Sequence, residues 1–188
     1  MQSNTPMANG ITARQLQLMN TLHTLWMDHV IWTRSFIEST AFNLEDLQFV
    51  TNRLLRNPVD FANVLRPFYG EQNAERFRTL LTDHLMIAGQ LVNAAKAQNA
   101  AAVQEQRRRW YANADELADF LSRINPNWTR REWQTLLYEH LKMTEDEAVQ
   151  ILTGQYAAGV AQFDAIRSQA MRMADEMADG IIRQFQIR

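Results

Sequence analysis

Cysteine is absent from all 188 residues, which rules out disulfides, thiolate nucleophiles and Cys-based metal sites. Glycine and proline are scarce, at six and four, and that disfavours a turn-rich sheet and favours long uninterrupted helices. No run of about 18 apolar residues exists to cross a bilayer. Residues Met1 to Gly10 have neither the basic start nor the apolar core of a secretory signal. A net charge of −2 gives no electrostatic reason to expect nucleic acid or an anionic membrane. Gly-x-Gly-x-x-Gly, the phosphate-binding loop, the Gly-x-Ser-x-Gly elbow and His-Glu-x-x-His are all missing, so nucleotide-dependent catalysis and triad hydrolysis have no support. The expectation left is a soluble cytoplasmic protein with no nucleic-acid and no membrane partner.

Helical periodicity is present throughout. Leu18, Leu22, Leu25, Trp26, Trp32 and Phe36 mark one apolar line over about 11–40. Asn43 reads as the cap of a second helix that breaks near Asn57-Pro58 and ends at Pro67-Phe68-Tyr69-Gly70. A third helix is expected over 71–98, and a fourth from a turn near Asn99 to Asn125-Pro126-Asn127. A short fifth is capped by Thr129 with Glu132 three residues on. A sixth starts at Thr144, with Glu147 three residues on, and is bent at Gly154 or Gly159. No stretch alternates with the period of a strand. The economical architecture is an all-α, up-and-down bundle of about six helices in three hairpins, with weak internal repeats. It forms one domain over 11–188 behind a disordered tail at 1–10.

The repeat lies in three phrases: Leu25-Trp26-Met27-Asp28-His29-Val30, Leu80-Leu81-Thr82-Asp83-His84-Leu85 and Leu136-Leu137-Tyr138-Glu139-His140-Leu141. In each, His follows Leu by four residues and therefore faces the core of a helix. A second phrase recurs as Ala114-Asp115-Glu116-Leu117-Ala118-Asp119 and Ala174-Asp175-Glu176-Met177-Ala178-Asp179, with an echo at Asp60-Phe61-Ala62-Asn63. His84 and Asp115 are nearly equidistant from the Asn99 turn, which places them at one height on neighbouring antiparallel helices, and His29 with Asp60 fit a turn near Phe42. His140 and Asp175 do not fit, because a helix break at Thr144 would separate them.

Imidazole and carboxylate from facing helices are how bundles hold iron, manganese, zinc or copper. The expected ligands are therefore His29, His84, His140 and Asp115, with Asp60 or Asp175 next, for a transition metal or a small cofactor. If the protein is an enzyme, redox or oxygen chemistry at that metal is the expected class. The alternative is a non-catalytic structural or interaction bundle with inert core histidines, whose partner is a protein or a second copy of itself. The two-helix Glu-x-x-His signature is absent, because Trp26, Leu81 and Leu137 occupy the position three before each His. Asp28, Asp83 and Glu139 are expected to flank the core and pair with surface Arg or Lys. His23 reads as a surface residue and Arg107-Arg108-Arg109 as a solvated face. Met143, Met171, Met173 and Met177 read as core, with soft copper ligation the rival. Trp32 and Trp110 lie near the histidine level, where they either pack or line a pocket.

Several phrases together resemble a family of small bacterial all-helical proteins of unknown function. They are Asp28-His29-Val30-Ile31-Trp32-Thr33-Arg34, Arg53-Leu54-Leu55-Arg56-Asn57, Phe68-Tyr69-Gly70, Trp110-Tyr111-Ala112-Asn113-Ala114-Asp115 and Gly180-Ile181-Ile182-Arg183-Gln184-Phe185. The resemblance covers the chain from about residue 22 onward. Members often carry the label acetylglutamate kinase, but kinases resembling that name are larger α/β proteins with Gly-rich phosphate loops, and this chain has neither. It also ends Phe185-Gln186-Ile187-Arg188 where similar proteins tend to have Pro after Phe. What the resemblance implies is a small bacterial helical domain, and it transfers no catalytic residue.

Overall fold

The structure, a computed structural model, describes residues 10–188, so the tail expected at 1–10 falls almost wholly outside the described residues. Six helical segments follow in order: α1 (Ala13–Phe42), α2 (Leu47–Leu54), α3 (Asn57–Lys96), α4 (Ala100–Ile124), α5 (Arg130–Leu152) and α6 (Tyr156–Phe185). Among the described residues there is no strand. Local chemistry sets the helix starts. Thr12 and Gln15 form a reciprocal capping box, Asn99 accepts from the Ala102 amide, and Thr129 accepts from the Glu132 amide.

α3 is two arms, 57–69 and 71–96, joined at Gly70, whose φ of 77° suits glycine and breaks the helical path. The rings of Phe61 and Phe77 lie 5.7 Å apart, whereas a straight helix would hold them about 24 Å apart. The chain therefore doubles back at Gly70, where sequence reading ended its second helix, and Arg66 ties the corner through Glu71 at 2.6 Å. Three antiparallel hairpins result: α1 with the first arm of α3, the second arm with α4, and α5 with α6. α4 also packs on α5, and α6 closes back onto α1. The bundle is thereby sealed around a main core running from Leu18 to Ile181, with a smaller cluster of Ile37, Val92, Ala148 and Ile151. At one end the core is packed tight. A Cβ on Gly180 would stand 1.8 Å from Nε1 of Trp128, which donates to the Glu176 carbonyl at 3.0 Å. Among the described residues, no helix is long and apolar enough to cross a membrane.

Two expected boundaries are wrong: Asn43, read as the cap of the second helix, instead closes α1 as its left-handed C-cap at φ 54°, with α2 starting after Asp46, and the break expected at Thr144 is absent. α5 runs through Thr144 to Leu152, and the last turn falls at Thr153-Gly154-Gln155, with Gly154 at φ 76°. Thr144 and Glu147 imitate a capping box in sequence, but both are buried in mid-helix, and Glu147 is paired with Arg34 from α1. With nothing nearby to break the backbone, the helix continues, and the third hairpin acquires the same proportions as the other two.

Candidate functional site

Each hairpin brings one histidine to a common layer in the core. His29 comes from α1, His84 from the second arm of α3 and His140 from α5, and all three are buried. The ring centroid of His29 lies 5.5 Å from that of His140 and 6.4 Å from that of His84. Trp26 packs edge-on against His29 and His140 at 5.6 and 6.4 Å, and Trp110 covers His84 at 5.3 Å.

The second helix of each hairpin supplies an amide. Nδ1 of His29 is bonded to Oδ1 of Asn57 at 3.1 Å, Nδ1 of His84 to Oδ1 of Asn113 at 2.8 Å, and Nδ1 of His140 to Oε1 of Gln169 at 3.1 Å. Each amide nitrogen then donates to the backbone carbonyl four residues before its histidine: Leu25 at 2.9 Å, Leu80 at 3.0 Å and Leu136 at 2.9 Å. A carbonyl can only accept, so the amide NH₂ must face it and the amide oxygen must face the ring. Each imidazole is therefore the Nδ1–H tautomer, with its lone pair on Nε2. None of the described hydrogen bonds uses Nε2 of these three rings.

Burial keeps these rings neutral. It pushes His29 and His84 down to about 3 and His140 to about 4, each with a neighbouring histidine as the second cause and the amide hydrogen bond opposing. The centre thus offers three neutral nitrogen lone pairs in a water-poor layer. Among the described residues, no group of three or more His, Asp or Glu side chains stands at metal-holding spacing.

The acids expected beside the histidines are engaged elsewhere. Asp60 pairs with Arg56 at 3.3 Å. Asp115 accepts from Gln134 at 2.6 Å and from the Tyr138 hydroxyl at 3.0 Å. Asp175 meets His23 at 2.7 Å on the surface. Two of the flanking acids behave as expected: Asp28 pairs with Arg53 at 2.7 Å and Glu139 with Arg172 at 2.9 Å. Met173 and Met177 are core. Of the two tryptophans assigned to the histidine level, Trp110 is there, whereas the Trp32 ring lies under the Arg53 guanidinium at 5.0 Å; Trp26 takes the inner place.

The amides were missed because the recurring acidic phrase sets the repeat one helical turn out of register. Ala114 to Ala174 is an offset of 60 residues, while His84 to His140 is 56. At 56, Asn113 falls on Gln169 and Ala118 on Ala174, and the same step takes Asn57 to Asn113 and Ala62 to Ala118. Those three alanines are fully buried. The readable signal was an amide side chain followed five residues later by alanine, 28 or 29 residues after each histidine.

No family model, no curated protein and no solved structure matches the chain.

Proposed function

We propose that this bundle binds a transition-metal cation in its core through Nε2 of His29, His84 and His140. The observation that supports the reading is the tautomer: three amides hold three clustered imidazoles with Nδ1 protonated and the Nε2 lone pair available. Metal-bound histidines characteristically donate their other ring N–H to an oxygen that fixes the ring, which is the part Asn57, Asn113 and Gln169 would play. A cation about 2.1 Å from each Nε2 places ring centroids about 5.3 Å apart at a tetrahedral angle. His29 and His140 already stand at 5.5 Å; His84, at 6.4 Å from His29, would draw in by about 1 Å. Three neutral imidazole ligands suit zinc, copper or iron better than manganese, which prefers oxygen donors, and a fourth position would be left for water or substrate. The three equivalent hairpins fit descent from one ancestral helical hairpin.

A second reading rests on the same bonds. Each His–amide–carbonyl chain crosses between the two helices of a hairpin and clamps their register, so the triad could serve as scaffold alone, with a protein partner or a second copy bound elsewhere.

Cobalt(II) and zinc(II) titration of metal-free protein separates the two. One equivalent of cobalt with tetrahedral visible bands, displaced by zinc, lost in His84→Leu and kept in His23→Leu, is the expected result. Asn113→Leu should weaken binding by about 10- to 100-fold. No saturable binding by folded wild-type protein overturns the metal reading and leaves the clamp.

A further inference from the structure

Beside the histidine layer, α1, α2, the second arm of α3, α4 and α5 surround a cavity of about 90 Å³. Trp110 joins the two places: its ring lines the cavity and also packs on His84 at 5.3 Å. Phe36, Leu91, Val92 and Ala148 are among the other walls. Close-packed interiors hold few voids larger than a water molecule, and this one is about three times the volume a water occupies in the liquid.

The walls offer nothing to a polar guest. Arg107 and Glu145 border the space but are bonded to each other, Nε to carboxylate at 2.8 Å. Thr33 and Thr144 border it too, yet their hydroxyls, like the Trp110 indole N–H, are sealed against contact with water and so present no donor to the cavity. A buried water needs about two to four polar partners and has none here. An apolar cavity of about 150 Å³ stays dry and takes up benzene or xenon. At about 90 Å³ this one has room for xenon or a diatomic gas, whereas a six-carbon ring would overfill it.

The cavity also has an approach. Phe36, Leu54, Leu85 and Gly89 line both it and an open groove of about 530 Å³ between α1, α2 and α3. Gly89 faces the Phe36 ring, and a Cβ there would come within 3.3 Å of Phe36 Cζ. That ring is the wall between groove and cavity, and only a flip of one side chain is needed to let a small molecule pass.

We infer that this cavity is a binding site for a small apolar gas molecule of the size of dioxygen, admitted past Phe36 and held against Trp110. Transfer from water into apolar surroundings drives the uptake, and no polar group has to be desolvated. Binding stands on the cavity alone; its service as a store of dioxygen for the histidine site rests on the metal reading.

The probes are xenon, dioxygen under pressure and benzene, each applied to the methyl-labelled, metal-free full chain. Xenon should shift the Leu85, Val92 and Ala148 methyl resonances saturably and leave Ile181, at the Trp128 end, still. Dioxygen, being paramagnetic, should broaden the same methyls, and benzene should leave them unchanged. Ala148→Leu fills the space from α5 and Val103→Phe from α4; each should lose xenon binding and keep the cobalt titration of wild type, so that a failed cavity and a failed metal site are told apart. Xenon that gives no saturable shift in wild type, or that still binds a folded filled variant, overturns the site. Benzene bound as well as xenon, or broadening by dioxygen spread evenly over the chain, overturns the assignment to a small gas.

Discussion

Two sets of buried polar groups in this core fare in opposite ways: the histidines with their amides, and a scatter of hydroxyls and indole N–H groups. In the histidine layer every Nδ1–H meets an amide oxygen and every amide NH₂ meets a backbone carbonyl. By contrast, the hydroxyls of Thr33, Thr40 and Thr144 and the indole N–H groups of Trp26, Trp110 and Trp133 are buried and meet nothing. The first set repays burial with bonds that cross between helices and fix their register. The second set leaves that cost standing. Polar atoms alone therefore do not mark function here; what matters is which of them the fold has already satisfied.

The largest expected effect breaks the histidine layer by acid. Unfolded imidazoles take up protons near pH 6.5, whereas the folded rings resist until about 4 for His140 and about 3 for His29 and His84. Below pH 6.5 the unfolded chain binds protons that the folded one cannot, so stability falls as pH falls, across the window from about 6.5 to about 3. With all three sites contributing, the slope approaches about 4 kcal/mol per pH unit. Glu147 works the other way. Burial raises its carboxyl to about 7 against the opposing pull of Arg34, so the folded state gains one proton between about 7 and 4.5 and offsets about one histidine there. Urea melts at half-unit pH steps should show the decline; a flat profile between pH 6 and 4 would contradict neutral buried rings.

A smaller effect comes from removing one amide. Asn113→Leu strands the Nδ1–H of His84 and one acceptor site of the Leu80 carbonyl, at a cost of about 2–3 kcal/mol. Adding His84→Leu should recover part of that loss, because two apolar partners leave nothing buried and unpaired. Equal losses in the single and double variants, measured by denaturant unfolding, would mean that the bond between these residues carries no coupling.

The smallest effect has the opposite sign. Thr33→Val/Thr144→Val removes two orphan hydroxyls without changing shape and should stabilise the ligand-free protein by about 1 kcal/mol, read as a rise in melting temperature. The same exchange at Thr82, whose hydroxyl donates to the Arg78 carbonyl at 2.8 Å, should bring no gain. That contrast sharpens the division between satisfied and unsatisfied groups.

Much of this architecture was legible before any coordinates. The Leu-to-His spacing of four put each imidazole on an inward face, and all three are inside. Asn99, Thr129 and Gly70 announced their turns through capping and backbone chemistry that operate within a few residues. Thr144 misled because a capping box is written in the same letters whether or not the helix stops there. Asp175 misled because a matching phrase can slip by one turn and keep its helical face; Asp60 and Asp115 keep the histidines' own offset but turn to Arg56, and to Gln134 and Tyr138, which only packing decides. His23 could not be seen to meet Asp175, 152 residues away in sequence.

What the sequence by itself determined is therefore local and periodic: an all-helical chain, the faces its helices bury and the places where most of them end, because propensity, capping and hydrophobic spacing act over a few residues. Only the tertiary structure decided the partners. Contact across hairpins gave the histidines amides instead of carboxylates, carried α5 past Thr144, and left the polar atoms of Thr33, Trp110 and Thr144 buried without partners. Which side chain satisfies a buried polar atom depends on helices brought together from distant parts of the chain, and no local pattern records that meeting.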